Sequence, residues 1–303
     1  MTIKSCNETN QIKHKGELGI EHLKSGDQLL AQGQREQAML SYYKSNQIKF
    51  KNLRSQNKIG AILICGLPKS GNDYIWHSLI QGLNIKVFHV SRGGIPNDIL
   101  YYNRLQKHCY QDCVMPTHID ATPSNLFFIG NYLDRLVVNL RDVRQATLSW
   151  CHYMKLLKSL KDTGSIPLVP FIKKTMTEDQ YFSMSLTEQI DFQIKEYYLP
   201  FCIRWIESWL DADKNHLFYP KIFFTQQETL AKDPQAFFES ILDFYEIDKS
   251  KFTFPEPPDF KPGTHTRKGS VNEWREVFTP EQAEKASTMI PKRILDRFGW
   301  PEK

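Results

Sequence analysis

The chain has 303 residues, 41% hydrophobic and 24% charged, which excludes a disordered or fibrous protein and allows one large domain or one domain with a small appendage. Its 39 basic and 34 acidic residues leave a net charge of +5, with none of the concentrated basic stripe that a nucleic-acid binder presents. A small anionic ligand is consistent with that balance.

The first ten residues, Met1 to Asn10, lack the apolar core of a signal peptide, and no later segment is apolar over the length needed to span a bilayer. A cytoplasmic protein with no membrane partner is expected, and its six cysteines are expected to be reduced. Residues 17 to 50 carry Leu23, Gly26, Leu29, Leu30, Gly33, Ala38, Tyr42 and Ser45 at the spacings of a helical hairpin, and they resemble a single tetratricopeptide repeat. Small residues at 26, 38 and 45 let two antiparallel helices approach closely. One repeat cannot bury its apolar side alone, so residues 1–58 are read as a helical extension packed on the main domain or on a partner, a second copy included. The basic cluster Lys44, Lys49, Lys51, Arg54 and Lys58 reads as a solvated helix face.

Residues 59–303 form the second unit. Ala61 to Cys65 is an uninterrupted apolar run, expected of a strand buried on both faces of a parallel sheet. It breaks into Gly66-Leu-Pro68-Lys69-Ser70-Gly71-Asn72-Asp73-Tyr74, after which Ile75, Trp76, Leu79, Ile80 and Leu83 recur at helical spacing. A strand, turn and helix in this order aim backbone N–H groups and the positive end of a helix dipole at one spot, and Lys69 adds a full charge there. The spot suits a phosphate. Nucleotide-hydrolysing loops follow G-x-x-x-x-G-K-[ST], whereas here Asn72 and Asp73 follow the second glycine, so the loop has no hydroxyl placed for Mg²⁺ and no metal site is expected.

Ile85 to Val90 reads as a second strand and Ser91 to Pro96 as a loop. His108, Cys109, Cys113 and His118 lie close in sequence, but the spacing is not that of a structural zinc site. The strand Leu136 to Leu140 ends at Arg141, at the carboxyl end where open α/β sheets bind ligands. Ser149 follows eight residues later on a helix, and a guanidinium with a hydroxyl suits a phosphate. Residues 160 to 190 read as a long irregular stretch belonging to an acceptor pocket, followed by a helix rich in aromatics. Phe218 to Phe224 is a further strand, ending in a turn that contains Gln227, Glu228 and Leu230. Arg267-Lys268-Gly269 and Trp274 precede a helix whose cap and first turn are Thr279-Pro280-Glu281-Gln282.

In this order, the stretches at 68–74, 141–149 and 267–274 resemble the sulfotransferases that use 3'-phosphoadenosine 5'-phosphosulfate (PAPS). The first is similar to the family's P-K-S-G-T-T-W, with Asn72 and Asp73 for the two threonines and Tyr74 for the tryptophan that stacks on adenine. The second is similar to its R-x₇-S pair for the 3'-phosphate, and the third to its R-K-G-x-x-x-x-W element. Gln227 stands where the turn Y-E-D-L has its tyrosine. The resemblance implies a three-layer P-loop-like α/β fold around a central parallel sheet. It further implies a cofactor site of Pro68, Lys69, Ser70, Gly71, Asn72, Asp73, Tyr74, Arg141, Ser149, Gln227, Arg267, Lys268 and Gly269, holding PAPS and its product PAP. His118 would be the general base, Lys69 would stabilise the leaving phosphate, and Ser149 would hold Lys69 until sulfate is in place. Pro116 stands where relatives often carry a lysine. The acceptor implied is a hydroxyl or amine of a small molecule of specialised metabolism. Two other readings stay open, an inactive scaffold with the same fold and a nucleotide kinase or NTPase.

Overall fold

The computed structural model describes residues 4–94, 97–162, 176–215, 220–256 and 269–302. Its strands are β1 (Ala61–Gly66), β2 (Lys86–Val87), β3 (Ser91–Gly94), β4 (Asn97–Leu100), β5 (Cys113–Thr117), β6 (Arg135–Leu140) and β7 (Lys221–Gln226). Five of them form one sheet in the order β2-β5-β1-β6-β7, and every neighbouring pair in it is parallel. The remaining two, β3 and β4, form an antiparallel hairpin. Its first strand occupies part of the stretch expected to be a loop. The strand expected over 85–90 is only the two residues of β2, an edge position with β5 as its one neighbour. Edge strands are commonly that short.

The helices that precede and flank these strands are α1 (Lys4–Ala31), α2 (Arg35–Ser55), α3 (Asn72–Leu83), α4 (Tyr102–His108), α5 (Pro123–Tyr132) and α6 (Val143–Asp162). All residues of β1 and β6 are buried, as expected of strands covered on both faces. Alternate residues divide the core into two layers. Ile62, Ile64, Val114 and Val137 meet Ile75 and Leu79 of α3 and Phe237, Phe238 and Ile241 of the helix Pro234–Phe244. Leu63, Cys65, Met115, Leu136 and Val138 face the other way, toward Trp150 of α6 and Trp205 and Trp209 of the helix Tyr198–Lys214. The result is helix, sheet, helix.

α1 and α2 pack on one another through the small residues. A Cβ at Gly26 would stand 2.6 Å from the Tyr42 ring, and Ser45 donates to Gly19 O at 2.7 Å. The pair is tied to the rest of the chain by α2. Asn46 donates to Gly130 O at 3.3 Å, and Arg54 pairs with Asp134 at 2.8 Å. Two members of the basic cluster therefore do not form a solvated face. Arg54 is largely buried on Asp134, and Lys49 donates to the Tyr110 hydroxyl at 3.3 Å, its pKa lowered by burial. Among the described residues no helix is long and apolar enough to cross a membrane.

Candidate active site

The sheet register brings the expected site residues to one end. Cys65 pairs with Thr117, Gly66 with Asn139, and Leu140 with Gln226. The residues that follow β1, β5, β6 and β7 are therefore the loop from Leu67, then His118, Arg141 and Gln227, at the carboxyl ends of four adjacent parallel strands.

The loop after β1 is sharply turned. Lys69 has φ 66° and Gly71 φ 82°, both in the left-handed region. Such a backbone costs a non-glycine residue about 1–2 kcal/mol, and strain of this kind collects at functional sites. Gly71 opens α3, and no side chain among the described residues caps that helix. The amides of its first turn are thus left without a side-chain cap, an arrangement that suits an anion. Ser70 is fully buried, with Oγ 2.5 Å from Leu67 O. Pro68 O accepts from the Tyr198 hydroxyl at 2.6 Å, and Tyr198 stacks on Trp150 at 4.6 Å.

The side chains of this stretch divide by direction. Asn72 turns inward, its Nδ2 donating to Leu67 O at 2.8 Å. Asp73 is exposed and accepts from Trp76 Nε1 at 3.2 Å, while Tyr74 packs edge-on against Phe238 at 5.8 Å. Lys69 Nζ lies 4.1 Å from the ring centroid of Tyr153, one turn beyond the half-buried Ser149 on α6. Burial, and after it the Asp73 carboxylate, raises the Tyr153 phenol above its ordinary range.

Arg141 is buried and joins two segments distant in sequence. One arm of its guanidinium donates to Lys69 O at 2.9 Å and the other to Ser270 O. Gln227 Nε2 donates to Gly269 O at 3.1 Å, and a Cβ on Gly71 would meet the Gln227 side chain at 3.4 Å. Loop, strand end, turn and C-terminal segment thus close around one place. Glu228 accepts from Asp142 N at 2.8 Å, and burial raises its carboxyl pKa. Arg267 and Lys268 lie outside the described residues, as do residues 163–175 of the stretch expected to be irregular. The later part of that stretch contains the capped helix Glu178–Ser183.

His118 directly follows β5. Its Nδ1 is 2.6 Å from Gly66 O. A carbonyl oxygen only accepts, so Nδ1 carries a proton, and in the neutral ring the lone pair belongs to Nε2. The His118 backbone N–H donates to Asp98 Oδ2 at 3.1 Å, and that oxygen also accepts from Ser91 at 2.7 Å. The hairpin of β3 and β4 therefore holds the peptide that carries the histidine. Trp205 Nε1 donates to Ile119 O at 2.9 Å and secures the other side.

Tyr153, Asp98 and Asn139 belong to this arrangement and were not singled out in the sequence. Only Asn139 left a signal there, a polar residue inside the apolar run Leu136 to Leu140. Among the described residues no group of three or more His, Cys, Asp or Glu could hold a metal ion. Burial pushes the Cys109 and Cys113 thiols up to about 12 each.

The family model of the sulfotransferase domain matches residues 60–297, and the chain belongs to that family. Sulfotransferases of this family take their sulfuryl group from PAPS. Among solved structures, mouse sulfotransferase SULT7A1 complexed with PAP is similar at 16% identity and a TM-score of 0.47, over 81% of this chain and 86% of that one. No curated protein matches the chain.

Proposed function

We propose that the chain transfers a sulfuryl group from PAPS to a hydroxyl or amine of a small-molecule acceptor, in the cytoplasm. The observation that carries this reading is the meeting of an uncapped phosphate loop, a histidine with its Nδ1 engaged and a buried arginine at adjacent strand ends. Residues 59–303 are the catalytic domain in this account, and residues 1–58 are an extension that packs on it or on a partner.

The residues present fit a cofactor with two phosphate groups. The loop from Pro68 to Tyr74, with Lys69 and the first amides of α3, suits the 5'-phosphate. Arg141 and Ser149, with Gln227 and residues 267–269, suit the 3'-phosphate. When bound, PAPS supplies an activated sulfuryl group on a phosphate leaving group. His118 Nε2 takes the proton of the acceptor hydroxyl or amine, because Gly66 O keeps the other ring nitrogen protonated. Lys69 offsets the negative charge that grows on the leaving phosphate, so its effect is larger in the transition state than in the ground state. Ser149, near Tyr153 on the same helix, helps to hold Lys69 before reaction.

His118→Ala tests the reading. With PAPS and a panel of one phenol, one aliphatic alcohol and one primary amine, turnover is expected to fall by roughly 10²–10⁴-fold, the contribution of a general base. PAP binding should stay within about twofold of wild type, since His118 is assigned no phosphate contact. Unchanged turnover would contradict the assignment of the base.

A further inference from the structure

Asn139 has no accessible surface and lies in a strand whose other residues are mostly apolar. A buried amide is costly unless its donors and acceptors are met. Here they are met by the loop after β1 and by β7. Asn139 Nδ2 donates to Ser70 O at 2.8 Å and lies 3.0 Å from both Ser70 Oγ and Asn72 Oδ1. Its Oδ1 accepts from Thr225 Oγ1 of β7 at 3.0 Å, and its backbone oxygen accepts from Leu67 N at 2.8 Å. One side chain thus links the loop to β6 and β7.

Asn72 completes the link from the other side. Its Nδ2 closes on Leu67 O, the residue at which the loop leaves β1. The amide fits only because residue 66 is glycine: a Cβ there would stand 1.8 Å from Asn72 Oδ1. Gly66, Asn72 and Asn139 are therefore geometrically dependent on one another. Asn72, facing inward, is engaged in holding the loop rather than turned toward a ligand.

We propose that Asn139 and Asn72 are a pair of positioning residues that fix the left-handed turn at Lys69 and Gly71, and with it the backbone amides that take the 5'-phosphate of PAPS. This rests on the sulfotransferase reading for the identity of the phosphate, but not for the rigidity of the loop. Preorganised amides bind an anion without first being ordered, so loosening them weakens cofactor binding while leaving the acceptor's contacts alone.

Asn139→Ala, Asn72→Ala and the double variant test the pair by two readouts. Amide hydrogen exchange of the ligand-free protein should be at least tenfold faster over residues 69–72 in each single variant, and unchanged in α1 and α2. Calorimetric PAP affinity should fall roughly tenfold, the size of one or two lost buried hydrogen bonds, with a matching rise in KM for PAPS and none for the acceptor. The double variant should be about as impaired as the weaker-binding single, because both side chains act through shared bonds. Exchange and PAP affinity within twofold of wild type in both singles would overturn the proposal, as would losses that add in the double. Should Asn139→Ala fail to fold, Asn72→Ala alone decides, by the same thresholds. Failure of wild type to bind PAP would overturn the sulfotransferase reading, and the exchange result would still decide on the loop.

Discussion

Lys69 stands over the face of Tyr153, and that contact gives the tyrosine a role no motif assigns to it. A cation on an aromatic face is worth about 0.5–2 kcal/mol, rising as the pair is withdrawn from water, and Tyr153 is half-buried. The ring, not the hydroxyl, makes the contact. Tyr153→Phe should therefore leave turnover with PAPS within about twofold of wild type, while Tyr153→Ala should lower kcat/KM for PAPS by roughly three- to tenfold. Steady-state kinetics at varied PAPS separates the two. Equal loss in both variants would mean that the phenol hydroxyl, raised in pKa by burial and by Asp73, is the group that matters.

Elements are held together around Asp134, between α5 and β6. Its carboxylate takes Arg54 of α2 at 2.8 Å and Arg135 of β6 at 3.0 Å, all three largely buried. Arg135 reaches onward to Phe244 O and to Glu246 at 3.0 Å. Removing the central anion leaves two guanidinium groups short of their partner. Asp134→Ala is expected to cost about 3–5 kcal/mol in urea unfolding, and a loss below about 1 kcal/mol would show that the network is not a structural joint. Such joints were not legible in the sequence, where Arg54 stands among lysines and looks like surface. The elements themselves were legible where one period dominates: the apolar runs that became β1 and β6, and the turn and periodic run that became α3. β5 was not, because Pro116 interrupts a run of five residues and its pairing partners in β2 and β1 lie 27 and 52 residues away. The hairpin of β3 and β4 was hidden by Gly93 and Gly94, which read as loop. Asn72 read as a ligand contact because motif spacing carries no direction. The space left by Gly66 turns it inward.

At the scale of the whole molecule, the proposed function rests on register. Four parallel strands end at one level, and the residues just beyond them are the turned loop from Leu67, a histidine, an arginine and a glutamine. Each alone is ordinary, and the parallel sheet makes them neighbours. The N-terminal pair of helices stands apart from this site, joined through α2 to α5 and to Asp134. The claim that depends on the whole arrangement is that it holds a nucleotide with two separate phosphate groups. Calorimetric titration with PAP, 5'-AMP and ATP with Mg²⁺, on wild type and Arg141→Ala, tests it most directly. The account predicts tight binding of PAP by wild type, weak binding of the other two nucleotides, and a loss of PAP affinity of roughly tenfold or more in Arg141→Ala, as expected for charge-assisted bonds to phosphate. A preference for ATP with Mg²⁺, or no nucleotide binding at all, would contradict it.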